Sequence, residues 1–149
     1  SDADTTDHVA VALDHVTVSL DGHLKTDGVG GLTETNLLSY FTVSSGDILN
    51  GTANHAQFDW EFNSGSQAFD FLAAGQTLTL QYTIVPSDGH AATGTGNGVV
   101  TITIAGSNDA PVIDVGTMAV TQNGNVVTVN GLSVTDADAN ETFTVGATT

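Results

Sequence analysis

The chain lacks cysteine and has a single basic residue, Lys25, among its 149 residues. Without cysteine there is no disulfide and no thiolate metal site. Because almost nothing in the chain can neutralise phosphates, nucleic acid is close to excluded as a partner, and an anionic membrane surface is excluded. No stretch of the sequence is long or apolar enough to span a bilayer, and no signal peptide is visible.

Acidic side chains are abundant by contrast. Seventeen of them against one basic residue give a formal net charge of 1 − 17 = −16. Such a charge repels itself in a compact fold, and divalent cations would relieve the repulsion. A solubility or salt adaptation explains the charge nearly as well.

The length and apolar content of the chain limit the number of domains that it can form. Hydrophobic residues make up 40% of the sequence, which is enough for a packed core. The 149 residues suffice for one full domain plus part of a second. Since the sequence starts at Ser1 without a methionine, we expect it to be a fragment of a longer protein.

Apolar and polar residues alternate along most of the chain, which predicts antiparallel sheets with one wet face. The alternating segments are 8–13, 15–20, 56–62, 77–85, 99–105 and 126–129. The alternation slips phase at Asp14-His15, which predicts a bulge. Asn123-Gly124 predicts a hairpin turn. Strands separated by such short, turn-rich segments are typical of an all-β fold, either a β-sandwich or a Greek key.

Helical signals are weak. The segment 35–41 predicts a short helix capped by Thr35 or Asn36, and the segment 66–75 predicts one helical turn that Gly75 stops.

Aromatic residues are predicted to lie in the core. The expected core aromatics are Phe58, Trp60, Phe62, Phe69 and Phe71. A sugar-binding platform is the minority interpretation of these rings. Asp59 and Glu61 lie on the strand face opposite Trp60. We therefore interpret them as residues of the solvent-exposed face of the sheet, and not as the acid and base of a glycosidase.

Two short segments of the chain are similar to each other. Residues 1–11 (SDADTTDHVAV) align with residues 135–145 (TDADANETFTV), so that a polar signature and the strand after it both recur. We interpret the two similar segments as equivalent boundaries of two consecutive repeats.

The segment 69–113 carries a family pattern from end to end: FDFLAAGQTLTLQYTIVPSDGHAATGTGNGVVTITIAGSNDAPVI. It resembles the end of a VCBS repeat, a cadherin-like β-sandwich of giant bacterial surface and secreted proteins. The resemblance is weaker over 1–20 and 114–149 and poor over 21–55. The loop after Pro86 departs from the pattern, because it has one aspartate, Asp88, where such loops often have more.

The resemblance implies an Ig/cadherin-like Greek-key β-sandwich in residues 1–110. Residues 111–149 would then be a linker plus the start of the next repeat. A lone hairpin is marginally stable. We therefore expect this second segment either to fray or to pack on the first domain, and we favour packing.

The linker GSNDAPVI (106–113) resembles the cadherin linker, whose asparagine and aspartate bind calcium between domains, which implies Asn108 and Asp109 as ligands. The chain then runs out and back through a predicted hairpin, so Asp136 and Asp138 should return beside them. Carboxylate and amide oxygens suit calcium. Read without the resemblance, Asn108-Asp109 is an ordinary turn, and acidic loops are usually solvated.

The same logic predicts half a site at the opposite pole of the domain. Asp88 should lie there with Asp2 and Asp4, which echo Asp136 and Asp138. Asp88-Gly89 alone is typical of a turn. Additional ligands are expected at Asp7, Asp114 and Glu141.

The resemblance implies a non-catalytic tandem repeat of a large extracellular bacterial adhesin. Calcium would rigidify the array, and the partners would be neighbouring repeats. The alternative is a secreted module that binds a carbohydrate or another surface polymer, with 21–55 as its binding loop. We do not expect an enzyme, because the sequence presents no nucleophile–base set and its five histidines have no zinc-ligand spacing.

Overall fold

The computed structural model describes residues 6, 8–89, 96–138, 142, 144 and 146. The chain forms two compact units. Unit 1 comprises Ser1–Ala68 and Thr77–Ile104, and unit 2 comprises Phe69–Gln76 and Ala105–Thr149. The predicted division at 110/111 into a repeat and the start of the next stays a prediction.

Nearly all of the regular structure is antiparallel β, so the all-β prediction is confirmed. Unit 1 contains β1 (His8–Leu20), β2 (His23–Lys25), α1 (Glu34–Ser39), β3 (Phe41–Val43), β4 (Asp47–Asn50), β5 (Trp60–Phe62), β6 (Thr77–Ser87) and most of β7 (Gly98–Ala105). Unit 2 contains β8 (Val112–Asp114), β9 (Ala119–Asn123), β10 (Val126–Asn130) and β11 (Ser133–Thr135).

The main sheet of unit 1 has five strands in the order β2-β1-β6-β7, with β4 also paired to β1. The long ladder between β1 and β6 runs from Ala10↔Ser87 to Leu20↔Leu78. Its register shifts between Leu13 and His15, which confirms the predicted bulge.

The core of unit 1 lies on one face of β6. Leu78, Leu80 and Tyr82 are completely buried, and Ile84 is nearly so. This is the face that the alternation predicts, because successive side chains of a strand point to opposite sides.

Helix α1 forms as predicted, but the predicted cap is wrong. Thr33, and not Thr35 or Asn36, is the N-cap residue. Its Oγ1 accepts a hydrogen bond from the Asn36 amide at 3.4 Å, and its own amide donates to Asn36 Oδ1 at 2.9 Å. This reciprocal capping box, with Asn in place of the usual Glu or Gln, satisfies two amides at the start of the helix.

Trp60 is not a core residue, contrary to the prediction. It is 47% exposed, whereas Phe41 is buried and stacks between Trp60 (5.4 Å between ring centroids) and Tyr82 (4.3 Å). Phe41 thus fills the core position and leaves the indole at the edge. Phe69 is buried as predicted, and the three other expected core aromatics, Phe58, Phe62 and Phe71, are partly buried.

The predicted helical turn at 66–75 is also absent. Two tight turns take its place, with Leu72 N donating to Phe69 O and Gln76 N donating to Ala73 O, each at 3.0 Å. Phe69 has a φ of +60°, which a right-handed helix cannot include. We call residues 69–76 the 69–76 loop; it belongs to unit 2.

Unit 2 contains two small antiparallel pairs. In the pair of β9 with β10, Asn123 is opposite Val126, so the turn residues are Gly124 and Asn125, one position later than predicted. Gly124 has the positive φ (+61°) that such a turn requires. Every residue of both strands is exposed. The other pair, β8 with β11, positions the candidate site.

Candidate metal site

The pairing of β8 with β11 brings two acidic segments together. Val112 is opposite Thr135, so the residues before β8 lie beside the residues after β11. The amide of Asp109 donates a hydrogen bond of 2.7 Å to Oδ2 of Asp138. The structure therefore joins the two segments that the hairpin argument expected to meet.

Asp136 and Asp138 form a tight local arrangement after β11. The amide of Asp138 donates to Oδ1 of Asp136 at 3.0 Å. Asp138 is only 6% exposed, and Asp136 is partly buried. Both carboxylates thus have one oxygen that accepts a hydrogen bond from a backbone amide.

The second oxygen of each of these carboxylates is buried without a hydrogen-bond partner. These atoms are Asp136 Oδ2 and Asp138 Oδ1, and no donor reaches them from the residues that the structure describes. Removing a carboxylate from water without a compensating partner is costly. Such an oxygen is stabilised by a bound proton, a hydrogen-bond donor or a cation.

Asp109 is partly buried beside these groups. Burial raises the pKa of its carboxyl above the ordinary value, and the negative charges of Asp70, Asp138 and Asp136 raise the pKa further. All four carboxylates belong to unit 2. We call Asp70, Asp109, Asp136 and Asp138 the carboxylate cluster.

Sequence reasoning missed Asp70. The residue lies within FDFLAAG, which the resemblance includes but to which it assigns no ligand. No local pattern signals that this aspartate approaches Asp109, because the approach depends on how the 69–76 loop folds.

Asn108 and Asp114 make local bonds. Asn108 is exposed, and its Nδ2 donates to the carbonyl of Asp109 at 2.6 Å, as a simple turn would. Asp114 is exposed and its Oδ1 accepts from the Gly116 amide at 2.8 Å.

The expected second site is not brought together within the described residues. Asp88 is partly buried in unit 1. Its expected partners Asp2 and Asp4 lie outside the described residues, as do Asp7 and Glu141. The prediction for that pole therefore stays a prediction.

The donor set fits a hard divalent cation, although it is not a finished metal site. Within the described ranges, no three histidine or carboxylate side chains are already arranged to hold a metal. Calcium takes six to eight oxygens, among them carbonyls and water, in a flexible geometry. Two buried and unpartnered carboxylate oxygens suit such an ion, whereas zinc sites are built mainly from cysteine and histidine ligands.

A second polar cluster lies at the bulge in unit 1. His15 Nδ1 is 2.7 Å from Asp14 Oδ2, and His15 Nε2 is 3.3 Å from Thr83 Oγ1. This is the order of groups in a nucleophilic triad, and sequence reasoning missed it. Thr83 is only 9% exposed and lies within the β1–β6 ladder, so a substrate has little access to its hydroxyl.

Comparisons with protein-family models, with curated proteins and with solved structures give no match to this chain. The likeness to VCBS repeats therefore rests on the residues quoted above. Of the helices in the described part of the chain, none has the length and apolarity needed to cross a membrane.

Proposed function

We propose that this chain is a non-catalytic structural segment of a large bacterial extracellular adhesin, built from tandem VCBS-like repeats that calcium rigidifies. The observation that carries the proposal is the pair of buried carboxylate oxygens of Asp136 and Asp138, beside the Asp109 amide. The GSNDAPVI linker and the net charge of −16 support it.

The proposed chemistry is charge neutralisation. Without an ion, the carboxylate cluster concentrates negative charge in a partly buried place, which opposes folding. A calcium ion would bind the open oxygens and hold the segments after β11 and before β8 together. Extracellular calcium modules bind with dissociation constants on the order of 10⁻⁴–10⁻³ M.

The proposed architecture is an Ig/cadherin-like Greek-key β-sandwich. Two features of unit 1 support it. The main sheet is antiparallel, and a separate two-stranded sheet of β3 and β5 contacts it where Phe41 stacks on Tyr82. Stacking one sheet on another through side chains of their inner faces is what defines a sandwich.

Calorimetric thermal unfolding of the whole chain tests the proposal, with calcium, with magnesium and with excess chelator. An ion that binds only the folded state at 100 times its dissociation constant stabilises by about 2.7 kcal/mol. Calcium at roughly 10 mM is about 100 times a dissociation constant of 10⁻⁴ M, so we expect a shift of up to this size. We expect magnesium to give less, because its small, rigid octahedral shell suits this site poorly. Identical unfolding in all three solutions would refute the proposal.

A second candidate function has its own supporting observation. Trp60 is nearly half exposed and stacks on Phe41, so one face of the indole is open to a flat ligand. Exposed aromatic rings of this kind suit the binding of a carbohydrate or another surface polymer. A glycan array with the whole chain and with Trp60→Ala tests it. Binding that the substitution abolishes would favour this function over a purely structural one.

A further inference from the structure

The main sheet of unit 1 has an open edge at β7. In the part of the chain that the structure describes, β7 pairs with β6 alone. Its other edge therefore carries backbone amides and carbonyls that no neighbouring strand uses. Such an edge is a template to which a further strand can add through main-chain hydrogen bonds.

The opposite side of the sheet is protected against strand addition, whereas β7 is not. On that side β1 pairs with β2, which has three residues and includes Lys25, and with β4, which has four residues and includes Asp47. Short edge strands and charged side chains are the usual means of preventing a further strand from adding. β7 has eight residues, with no proline and no charged side chain among them.

The lack of charge extends on both sides of β7. Between Asp88 and Asp109 the sequence has no aspartate, glutamate, lysine or arginine. Two copies of a chain with a net charge of −16 repel each other. Contact along β7 brings no acidic side chain of the strand opposite another, so the repulsion is small at this edge.

The direction of the backbone groups in β7 follows from one hydrogen bond. The amide of Gly106, directly after β7, donates to the carbonyl of Gln76, directly before β6, at 2.9 Å. Successive residues of an antiparallel strand turn their backbone groups to opposite sides. The even-numbered residues of β7 therefore turn their amides to β6, and the odd-numbered ones, among them Thr101 and Thr103, turn theirs to the open edge.

The side chains of β7 leave apolar surface that an added strand would cover. Val100, Ile102 and Ile104 lie on one face of the strand and are only partly buried, although the core face of β6 is almost completely buried. Thr101 and Thr103 lie on the other face and are exposed.

The sequence of β7 is self-complementary when two copies pair antiparallel. With Ile102 on a two-fold axis, Val100 is opposite Ile104 of the other copy, and Thr101 is opposite Thr103. Apolar residues then meet on one face and threonines on the other, and both combinations stabilise antiparallel sheets. In this register the outward amides of Thr101 and Thr103 also form the hydrogen bonds of the ladder.

We propose that two copies of this chain pair antiparallel through β7, so that their main sheets join into one continuous sheet across a two-fold axis at Ile102. A two-fold pair uses both β7 edges, so the assembly closes as a dimer. This inference goes beyond the proposed function and requires neither the cation nor the tandem repeat. In an extracellular adhesin, the same pairing would join neighbouring chains side by side.

The dimer should be weak, because one strand edge is a small interface. Stable interfaces bury about 1,200–2,000 Å² in total, and smaller ones are typical of transient complexes. We therefore expect a dissociation constant on the order of 10⁻⁵–10⁻⁴ M.

Analytical ultracentrifugation of the full chain, from roughly 1 µM to 1 mM and in enough salt to screen the net charge, tests the proposal. Thr101→Asp adds a carboxylate at the paired edge. Thr128→Asp is the matched control, because Thr128 is an exposed strand residue of β10 and gains the same charge. We expect the control to dimerise as the unchanged chain does, and Thr101→Asp to dimerise roughly tenfold more weakly. Calorimetric unfolding shows that both variants are folded.

The absence of cysteine makes the register testable by cross-linking. In Ile102→Cys the two introduced thiols lie directly opposite each other in a pair without hydrogen bonds, where the Cα atoms are about 4.5 Å apart and a disulfide fits. In Thr101→Cys the two thiols lie diagonally across the ladder, with their Cα atoms beyond the limit of about 7 Å for a disulfide. Mild oxidation should therefore cross-link Ile102→Cys and leave Thr101→Cys monomeric.

Three results would overturn the proposal. The first is a chain that stays monomeric at roughly 1 mM, or that forms assemblies larger than a dimer. The second is a Thr101→Asp variant that dimerises as well as the unchanged chain, since the contact would then lie elsewhere. The third is cross-linking of Thr101→Cys without cross-linking of Ile102→Cys. None of these results depends on calcium, so the proposed function is tested separately.

Discussion

Gly106 lies so close to Leu72 that a β-carbon on the glycine would stand under 3.0 Å from the leucine carbonyl oxygen. The two residues belong to the two separate stretches of chain that make up unit 2. Their contact is what holds the 69–76 loop against the linker.

The first prediction concerns this contact. Gly106→Ala should destabilise unit 2 by about 1–3 kcal/mol, because the methyl group must displace backbone carbonyls that cannot move freely. Gly98→Ala is the control, since nothing lies within 4 Å of the position its β-carbon would take. Thermal unfolding of the two variants by calorimetry measures the difference in their stability. Equal stabilities would contradict the packing of the loop.

The second prediction concerns the buried carboxylate of Asp138. In chelator, Asp138→Asn should be more stable than the unchanged chain, because it removes an uncompensated buried charge and keeps an oxygen for the Asp109 amide. In calcium the order should reverse, because the variant loses a ligand. A variant that is less stable in both solutions would mean that Asp138 is merely structural.

The third prediction concerns Asp109 and pH. Burial first, and then the charges of Asp70, Asp138 and Asp136, raise the pKa of Asp109 above 3.8. The folded state therefore favours the protonated carboxyl. The stability that this preference contributes is complete below pH 3.8. It is lost as the pH rises through the higher pKa that Asp109 has in the folded state.

In chelator, the stability of the unchanged chain relative to Asp109→Asn should thus fall as the pH is raised across that window. Because other carboxyls titrate in the same range, the difference between the two proteins is the quantity to measure. Parallel pH curves would contradict the prediction. In calcium, the difference in stability between the two proteins should depend less on pH, because the ion compensates the same negative charges.

The fourth prediction concerns Tyr82 in the core of unit 1. Its hydroxyl donates a hydrogen bond of 2.8 Å to the carbonyl of Leu37, which ties β6 to the helix. Tyr82→Phe should cost about 1 kcal/mol, the usual net value of such a bond. Denaturant unfolding measures it, and an unchanged midpoint would contradict it.

The pKa of the same tyrosine predicts that the unchanged chain and Tyr82→Phe differ in stability at alkaline pH. Burial raises the pKa of Tyr82 to about 12, from an ordinary value of 10.0. The folded state therefore favours the neutral phenol, and stability is lost as the pH rises from 10.0 through about 12. Tyr82→Phe should lose less stability over that range than the unchanged chain.

Local periodicity predicted those parts of the fold that depend on neighbouring residues. The buried face of β6 follows from strict alternation, and the bulge at His15 follows from a slip in that alternation. The meeting of Asp109 with Asp138 followed from chain direction alone, because a hairpin returns to its starting end.

The features that sequence reasoning missed depend on long-range packing. Trp60 has the alternation of a core residue, but Phe41 from another strand occupies the space beside Tyr82 first. Asp70 belongs to the 69–76 loop, which packs against Gly106, so its effect on the pKa of Asp109 depends on contacts between distant parts of the chain. Thr33 caps the helix because Asn36 reciprocates, a pairing that a search for Glu or Gln at that position overlooks.

The distribution of chromophores between the two units has a practical consequence. The only tryptophan, Trp60, and both tyrosines, Tyr40 and Tyr82, belong to unit 1, whereas unit 2 has only phenylalanine among its aromatic residues. Intrinsic fluorescence excited at the red edge of protein absorption therefore comes from unit 1 alone. Thermal unfolding followed by fluorescence therefore reports on unit 1, whereas calorimetry reports on both units, so comparing the two in unlabelled protein shows whether the units unfold together.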